Sequence, residues 1–144
     1  MERSLPPFVL MLPMVLGACS GGVSGVPGDS EDRAPFHAIA EDEAVNVTGT
    51  EPFWGGQVAK GRFHYTTPNN PEGADVPVSR FAGRGGLSFS GDFEGKTLTL
   101  AITPGACSDG MSERQYPFVV TFRLGAELRH GCGWTKRQPW SGGE

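Results

Sequence analysis

Two runs of this chain alternate apolar and other residues with a period of two. Leu98, Leu100 and Ile102 point one way and Thr97, Thr99, Ala101 and Thr103 the other. Phe118, Val120, Phe122 and Leu124 likewise oppose Val119, Thr121 and Arg123. A period of two puts alternate side chains on opposite faces of a strand, and a helix cannot gather such a set on one side. The pattern requires a sheet with one face buried and one wet. Val45/Val47, Phe63/Tyr65 and Leu87/Phe89 repeat it in shorter form. The 22 glycines and 12 prolines among 144 residues argue the same way, because these are the poorest residues for a helix interior.

The connections suit antiparallel pairing. Lys60-Gly61 joins Val58-Ala59 to Arg62-Phe63 as a tight hairpin, and Gly125-Ala126 joins Leu124 to Glu127-Leu128. Gly91–Gly95 reads as a longer turn from Ser90 to Lys96, and Pro68–Gly73 as a polar loop and binding rim. Pro77 makes Val76–Phe81 an edge strand. The expectation is an all-β domain over residues 36–136, a small antiparallel barrel or sandwich of seven to eight strands, with 137–144 as a C-terminal tail. The length favours one domain.

The first residues read as an address. Leu5–Leu16 is apolar but interrupted by Pro6, Pro7 and Pro13; it is too short to span a bilayer and of the right length for a signal peptide. Leu16-Gly17-Ala18-Cys19 resembles the lipobox of bacterial lipoproteins. That resemblance implies cleavage after residue 18, lipidation of Cys19 and anchoring by acyl chains. Ser20, where an aspartate would retain many such proteins in the inner membrane, implies the outer membrane facing the periplasm. Residues 19–35, rich in glycine and poor in apolar side chains, read as a flexible tether. With Cys19 lipidated, Cys107 and Cys132 remain, and an oxidising compartment makes a disulfide the simplest fate of such a pair.

Two short segments concentrate candidate chemistry. In Gly49–Gly56, Glu51 and Trp54 are candidate polar and stacking groups for a ligand; the alternative makes Phe53 and Trp54 core anchors. In Ala106–Ser112, Ser108, Asp109 and Met111 are candidates, with a disulfide-pinned turn as the plainer reading. No nucleophile elbow accompanies Ser108 or Ser112, so no catalytic residue is assigned. The three histidines, His37, His64 and His130, lack metal-ligand spacing. His64 should face outward opposite Phe63 and Tyr65, and His130 inward with Leu128. No cofactor is expected, and a net charge of −4 argues against a nucleic-acid partner.

Together, GTEPFW at Gly49–Trp54, CSDGMS at Cys107–Ser112 with Tyr116-Pro117, and Gly131-Cys132 resemble a family of bacterial envelope lipoproteins known only as predicted membrane proteins, sometimes found beside META-type domains. The resemblance spans about residues 36–134, and Glu51, Trp54, Asp109, Met111 and Tyr116 occupy its motif positions. It implies pairing of Cys107 with Cys132 and no particular activity. Trp134, after Gly133, departs from the pattern.

The resulting expectation is a lipid-anchored, non-enzymatic β-domain of the envelope that binds a small ligand or a partner protein, with Trp54 and the Cys107 turn close together. The alternative is an inhibitor of a lysozyme-type cell-wall hydrolase, by analogy with other small anchored barrels. An envelope hydrolase using Glu51 or Asp109 is the weakest reading, because no activated nucleophile or second positioned acid accompanies either.

Overall fold

A computed structural model describes residues 33–143; the expected signal peptide, Cys19 and the expected tether up to residue 32 lie outside the described residues. The strands are β1 (Val45–Thr50), β2 (Phe53–Ala59), β3 (Arg62–Thr67), β4 (Asn70–Pro77), β5 (Ser79–Ala82), β6 (Leu87–Phe93), β7 (Lys96–Ser108), β8 (Gln115–Leu124) and β9 (Glu127–Thr135). They form one antiparallel sheet in the order β4-β3-β2-β1-β9-β8-β7-β6-β5. Two meanders, β1–β4 and β5–β9, are joined where the first strand pairs with the last, from Val45↔Thr135 to Thr48↔Cys132. The sheet curls until β4 lies against β6, giving a nearly closed barrel. Val78 N–H extends the β3–β4 ladder by donating to the Gly61 carbonyl at 2.9 Å, and across the seam a side chain at Gly91 would strike the Pro77 carbonyl.

The alternating runs behave as their sequence requires. Leu98, Leu100, Ile102, Val120 and Phe122 are fully buried, as are Val45 and Phe63. Phe122 is the hub of an aromatic cluster, 4.7 Å from Trp54, 5.3 Å from Tyr65 and 6.0 Å from Phe63 between ring centroids. The hairpins at Lys60-Gly61 and Gly125-Ala126 form where expected. Lys60 and Gly61 both take positive φ, 50° and 72°, the conformation of a tight turn matched to strand twist.

Four expectations need correction. Nine strands form among the described residues, and Asn70–Gly73, polar enough to read as loop, pairs with β3 as the start of β4 after a turn at Pro68-Asn69, lengthening that strand. Val76–Phe81 is two edge strands: the chain leaves β4 at Pro77 and begins β5 at Ser79, on the far side of the sheet order. The turn after Ser90 is the two residues Glu94-Gly95, both at positive φ, with Gly91–Phe93 inside β6. His130 is exposed and Leu128 half exposed, so neither faces the core. The inward positions of β9 are Arg129, Gly131, Gly133 and Thr135: side chains built on the two glycines would meet Trp54 and Val120 in the interior. Two glycines carry no side chain to reveal the phase.

One end of the barrel is plugged by the segment before β1. Phe36 and Ile39 are buried there; Phe36 N–H donates to Gly83 O at 2.7 Å, and Arg80 Nη2 donates to Ile39 O at 2.9 Å. Glu43 ties this plug to the end of β9. Its carboxylate accepts from the Ala40 amide at 3.1 Å and from Arg137 Nη2 at 3.0 Å. Arg137 above all holds its pKa down from 4.5 to about 2, against burial and with help from the Thr135 hydroxyl and the Ala40 amide. Every buried side chain named here and both paired cysteines lie within the described residues.

A folded-state pKa below the unfolded one means that ionised Glu43 stabilises the fold above the ordinary carboxylate range, and that this contribution fades as the pH falls from 4.5 towards about 2. Urea unfolding of E43Q should show a loss of about 1.5–3 kcal/mol at neutral pH. The deficit should narrow through that acid window. A deficit independent of pH would contradict the ionic origin.

Candidate functional site

The GTEPFW segment is the β1–β2 hairpin, turning at Glu51-Pro52 through a cis peptide bond. Gly49 lies directly across the ladder from Trp54. Trp54 is only 3% exposed, its indole seated against the aromatic cluster. A side chain at Gly49 would overlap the indole nitrogen, and one at Gly131 would come within 2.9 Å of Cζ2. Small backbones on β1 and β9 therefore form the seat of a core tryptophan, which offers no face to a ligand. Phe53, next in line, points outward and is half exposed, and Glu51 is exposed at the turn.

The second motif occupies the far end of the β7–β8 hairpin. Pairing of these strands slips between Pro104 and Cys107, and beyond that irregularity the hairpin folds back as a tongue over the outer face of β8, β9 and β1. Two contacts hold it there. Cys132 points outward from β9 and forms the disulfide with Cys107, Cα atoms 5.6 Å apart. Thr50 Oγ1, at the end of β1, donates to the Asp109 carbonyl at 3.2 Å. The expected pairing of the cysteines is thus present, closing a loop of 25 residues, which in the chain-entropy model contributes roughly 3–4 kcal/mol.

Asp109 organises the tongue. Its carboxylate accepts the Met111 amide at 2.9 Å, the Ser112 amide at 2.8 Å, the Ser112 hydroxyl at 2.8 Å and the Tyr116 hydroxyl at 3.2 Å. The Met111 amide foremost, then the Ser112 amide and hydroxyl, lower its pKa from 3.8 to about 2. Ser108 Oγ accepts the Gly110 amide at 3.2 Å, and Gly110 takes the positive φ of 71° that the turn needs. Tyr116 is buried, its ring 5.4 Å from that of Trp134. At the root of the tongue, Ser141 pairs with Gln115, and the Arg114 guanidinium lies 4.0 Å above the Trp140 ring. Met111 at the tip is exposed.

Between tongue and sheet lies a cleft of about 310 Å³, floored by Thr48, Val119 and the disulfide and rimmed by Glu51, Ser108, Asp109, Leu128 and His130. Glu51, Ser108 and Asp109 are therefore brought together. Met111 and Tyr116 belong to the tongue without lining the cleft. Trp54 lies on the other side of the sheet, behind Gly49 and Gly131. The two motifs meet through Thr50 and Asp109, not through the indole that the shared-site expectation placed there. His64 is exposed and bonds Asp75 at 2.8 Å. Among the described residues no three His, Cys, Asp or Glu side chains gather in a metal-binding arrangement.

Sequence reasoning missed Leu128 and His130 as cleft residues and Arg129 as an inward one, because Gly131 and Gly133 hid the phase of β9. Comparison with protein-family models, curated proteins and solved structures finds no match to this chain.

The seat of Trp54 makes G49A an overpacking substitution, expected to cost about 1–3 kcal/mol in urea unfolding and to perturb tryptophan emission. A G49A protein as stable as the parent would contradict the observed packing.

Proposed function

We propose that this protein is a non-enzymatic binding module of the bacterial envelope, held by a lipid on Cys19 at the periplasmic side of the outer membrane. Its ligand is a small molecule taken up between the tongue and the outer face of the barrel. The observation that carries the reading is the Thr50–Asp109 hydrogen bond, which with the disulfide brings two sequence-distant motifs to one cleft. The cleft's volume lies at the lower end of the range for small-molecule sites. Location rests on the lipobox-like Leu16–Cys19, on Ser20 and on the resemblance of GTEPFW, CSDGMS and the closing Gly131-Cys132 to envelope lipoproteins.

Several groups in this region are already engaged within the fold. Asp109 is surrounded by its own loop's donors, and the hydroxyls of Ser108 and Ser112 serve the same turn. These bonds favour a rigid binding wall over a nucleophile or general acid, which must be free to exchange a proton with a substrate. They also weigh against the hydrolase-inhibitor reading, which needs acidic or serine groups free to project into an enzyme. Glu51, His130 and the half-exposed Leu128 are exposed cleft side chains placed to meet a ligand.

The chain from Ser20 onward, exported to an oxidising compartment and examined by native mass spectrometry, should carry a retained ligand as added mass. T48W, which fills the floor of the cleft, should lose it. An adduct unchanged in T48W would place the ligand elsewhere. A clean apo protein that inhibits lysozyme stoichiometrically would replace this reading with the inhibitor.

A further inference from the structure

Among the described residues no segment plugs the barrel end opposite Phe36–Ile39. Its rim includes the Glu51-Pro52 and Pro68-Asn69 turns, and a cavity of about 340 Å³ lies among Pro52, Phe53, Tyr65, Thr67, Asn69 and Arg129. Arg129 is the unexpected member. It faces inward, directly across the ladder from Phe122, with its guanidinium carbon 5.8 Å from that ring's centroid and its side chain 15% exposed.

A guanidinium has five N–H donors, and Arg129 uses two of them within the described fold. Nη1 donates to the Tyr65 hydroxyl oxygen at 2.8 Å, and Nη2 to the Glu127 carboxylate. Nε is buried and has no acceptor among the described residues. Because the Tyr65 oxygen accepts in its bond with Arg129, its own proton is available to another acceptor. A buried cation with unfilled donors thus stands beside a phenolic donor at the bottom of a cavity. The wall above them is apolar: Pro52, and Phe53 at 52% exposure.

We propose that the barrel mouth binds a small monocarboxylate with an apolar body. Its carboxylate accepts from Arg129 and from the Tyr65 hydroxyl, and its body lies against Pro52 and Phe53. The site goes beyond the outer cleft and does not depend on it. A carboxylate matches the planar donor fork of arginine. A phosphate dianion would bring a second charge, and no second cation lines the cavity to meet it. Glu127 is the built-in competitor. Its carboxylate is 56% exposed, so it returns to water at little cost when the ligand displaces it.

Octanoate is the probe, with octylammonium and inorganic phosphate as controls, titrated into the nitrogen-15-labelled chain from Ser20, which retains every described residue. Calorimetry gives affinity, and the Arg129 Nε–H resonance reports the site. Octanoate should bind and move that resonance; octylammonium and phosphate should do neither. Y65F should weaken octanoate about tenfold, the equivalent of one hydrogen bond, and R129K should weaken it further. E127Q should tighten it, a result that a purely structural role for Arg129 does not produce. Y65F and E127Q decide the matter should R129K fold poorly. T48W should leave octanoate binding unchanged, so failure of the outer cleft and failure of this site are separable. The proposal is overturned if octanoate does not bind at about 10 mM. It is equally overturned if either control binds as well, or if Y65F and E127Q leave the affinity unaltered.

Discussion

Everything else in this fold depends on the pairing of its first strand with its last. Without the β1–β9 ladder the chain would be two separate meanders, each with an unpaired edge and a half-covered apolar face. The pairing is possible because β9 presents glycine where β1 comes closest. A side chain at Gly131 would strike the Thr48 carbonyl, and one at Gly133 would come within 3.3 Å of the Asn46 carbonyl. The same scarcity of side chains makes room for Trp54, which brings its aromatic area to the junction and packs on Phe122. Closure and core are thus one arrangement, set by a tryptophan and three glycines.

Closure also creates both cavities. On the outside, Cys132 has to point away from the core because its neighbours in β9 point in, and it captures Cys107 from the folded-back tongue. On the inside, the same alternation sends Arg129 into the mouth beneath Tyr65. One strand therefore supplies the anchor of one cavity and the charge of the other. The Glu51-Pro52 turn stands between them and contributes Glu51 to the first and Pro52 to the second. Beyond the Cys107↔Tyr116 and Ser108↔Gln115 pairs, the tip of the tongue is ordered by Asp109, whose carboxylate gathers the loop's amides.

The legibility of the sequence followed a physical rule. Where both faces of a strand carried side chains, as in Leu98–Thr103 and Phe118–Leu124, alternation told inside from outside correctly. Where one face was glycine, as in β9, the same reading pointed His130 and Leu128 the wrong way and overlooked Arg129. Parity of the cysteines foretold the disulfide, but not that Cys107 lies beyond an irregularity that folds the hairpin back. Asn70–Gly73 looked like loop because its residues are polar. It is an edge strand, and at an edge the proline and the carboxylate that discourage further pairing are in place. No spacing rule links Thr50 to Asp109, 59 positions apart, so neither alternation nor motif spacing shows that these two residues meet.

The barrel carries a tongue clasped to its outer face by one disulfide and one motif-to-motif hydrogen bond. Hydrogen exchange of the chain from Ser20, measured with and without reductant, tests it most directly. Reduction should accelerate exchange in the tongue, from Ala106 to Gln115, and in the segments it covers around Thr48–Thr50 and His130–Cys132. The amides of Leu98–Ile102 and Val120–Phe122 should stay protected. Loss of protection throughout the barrel on reduction, or no change in the tongue, would contradict the account.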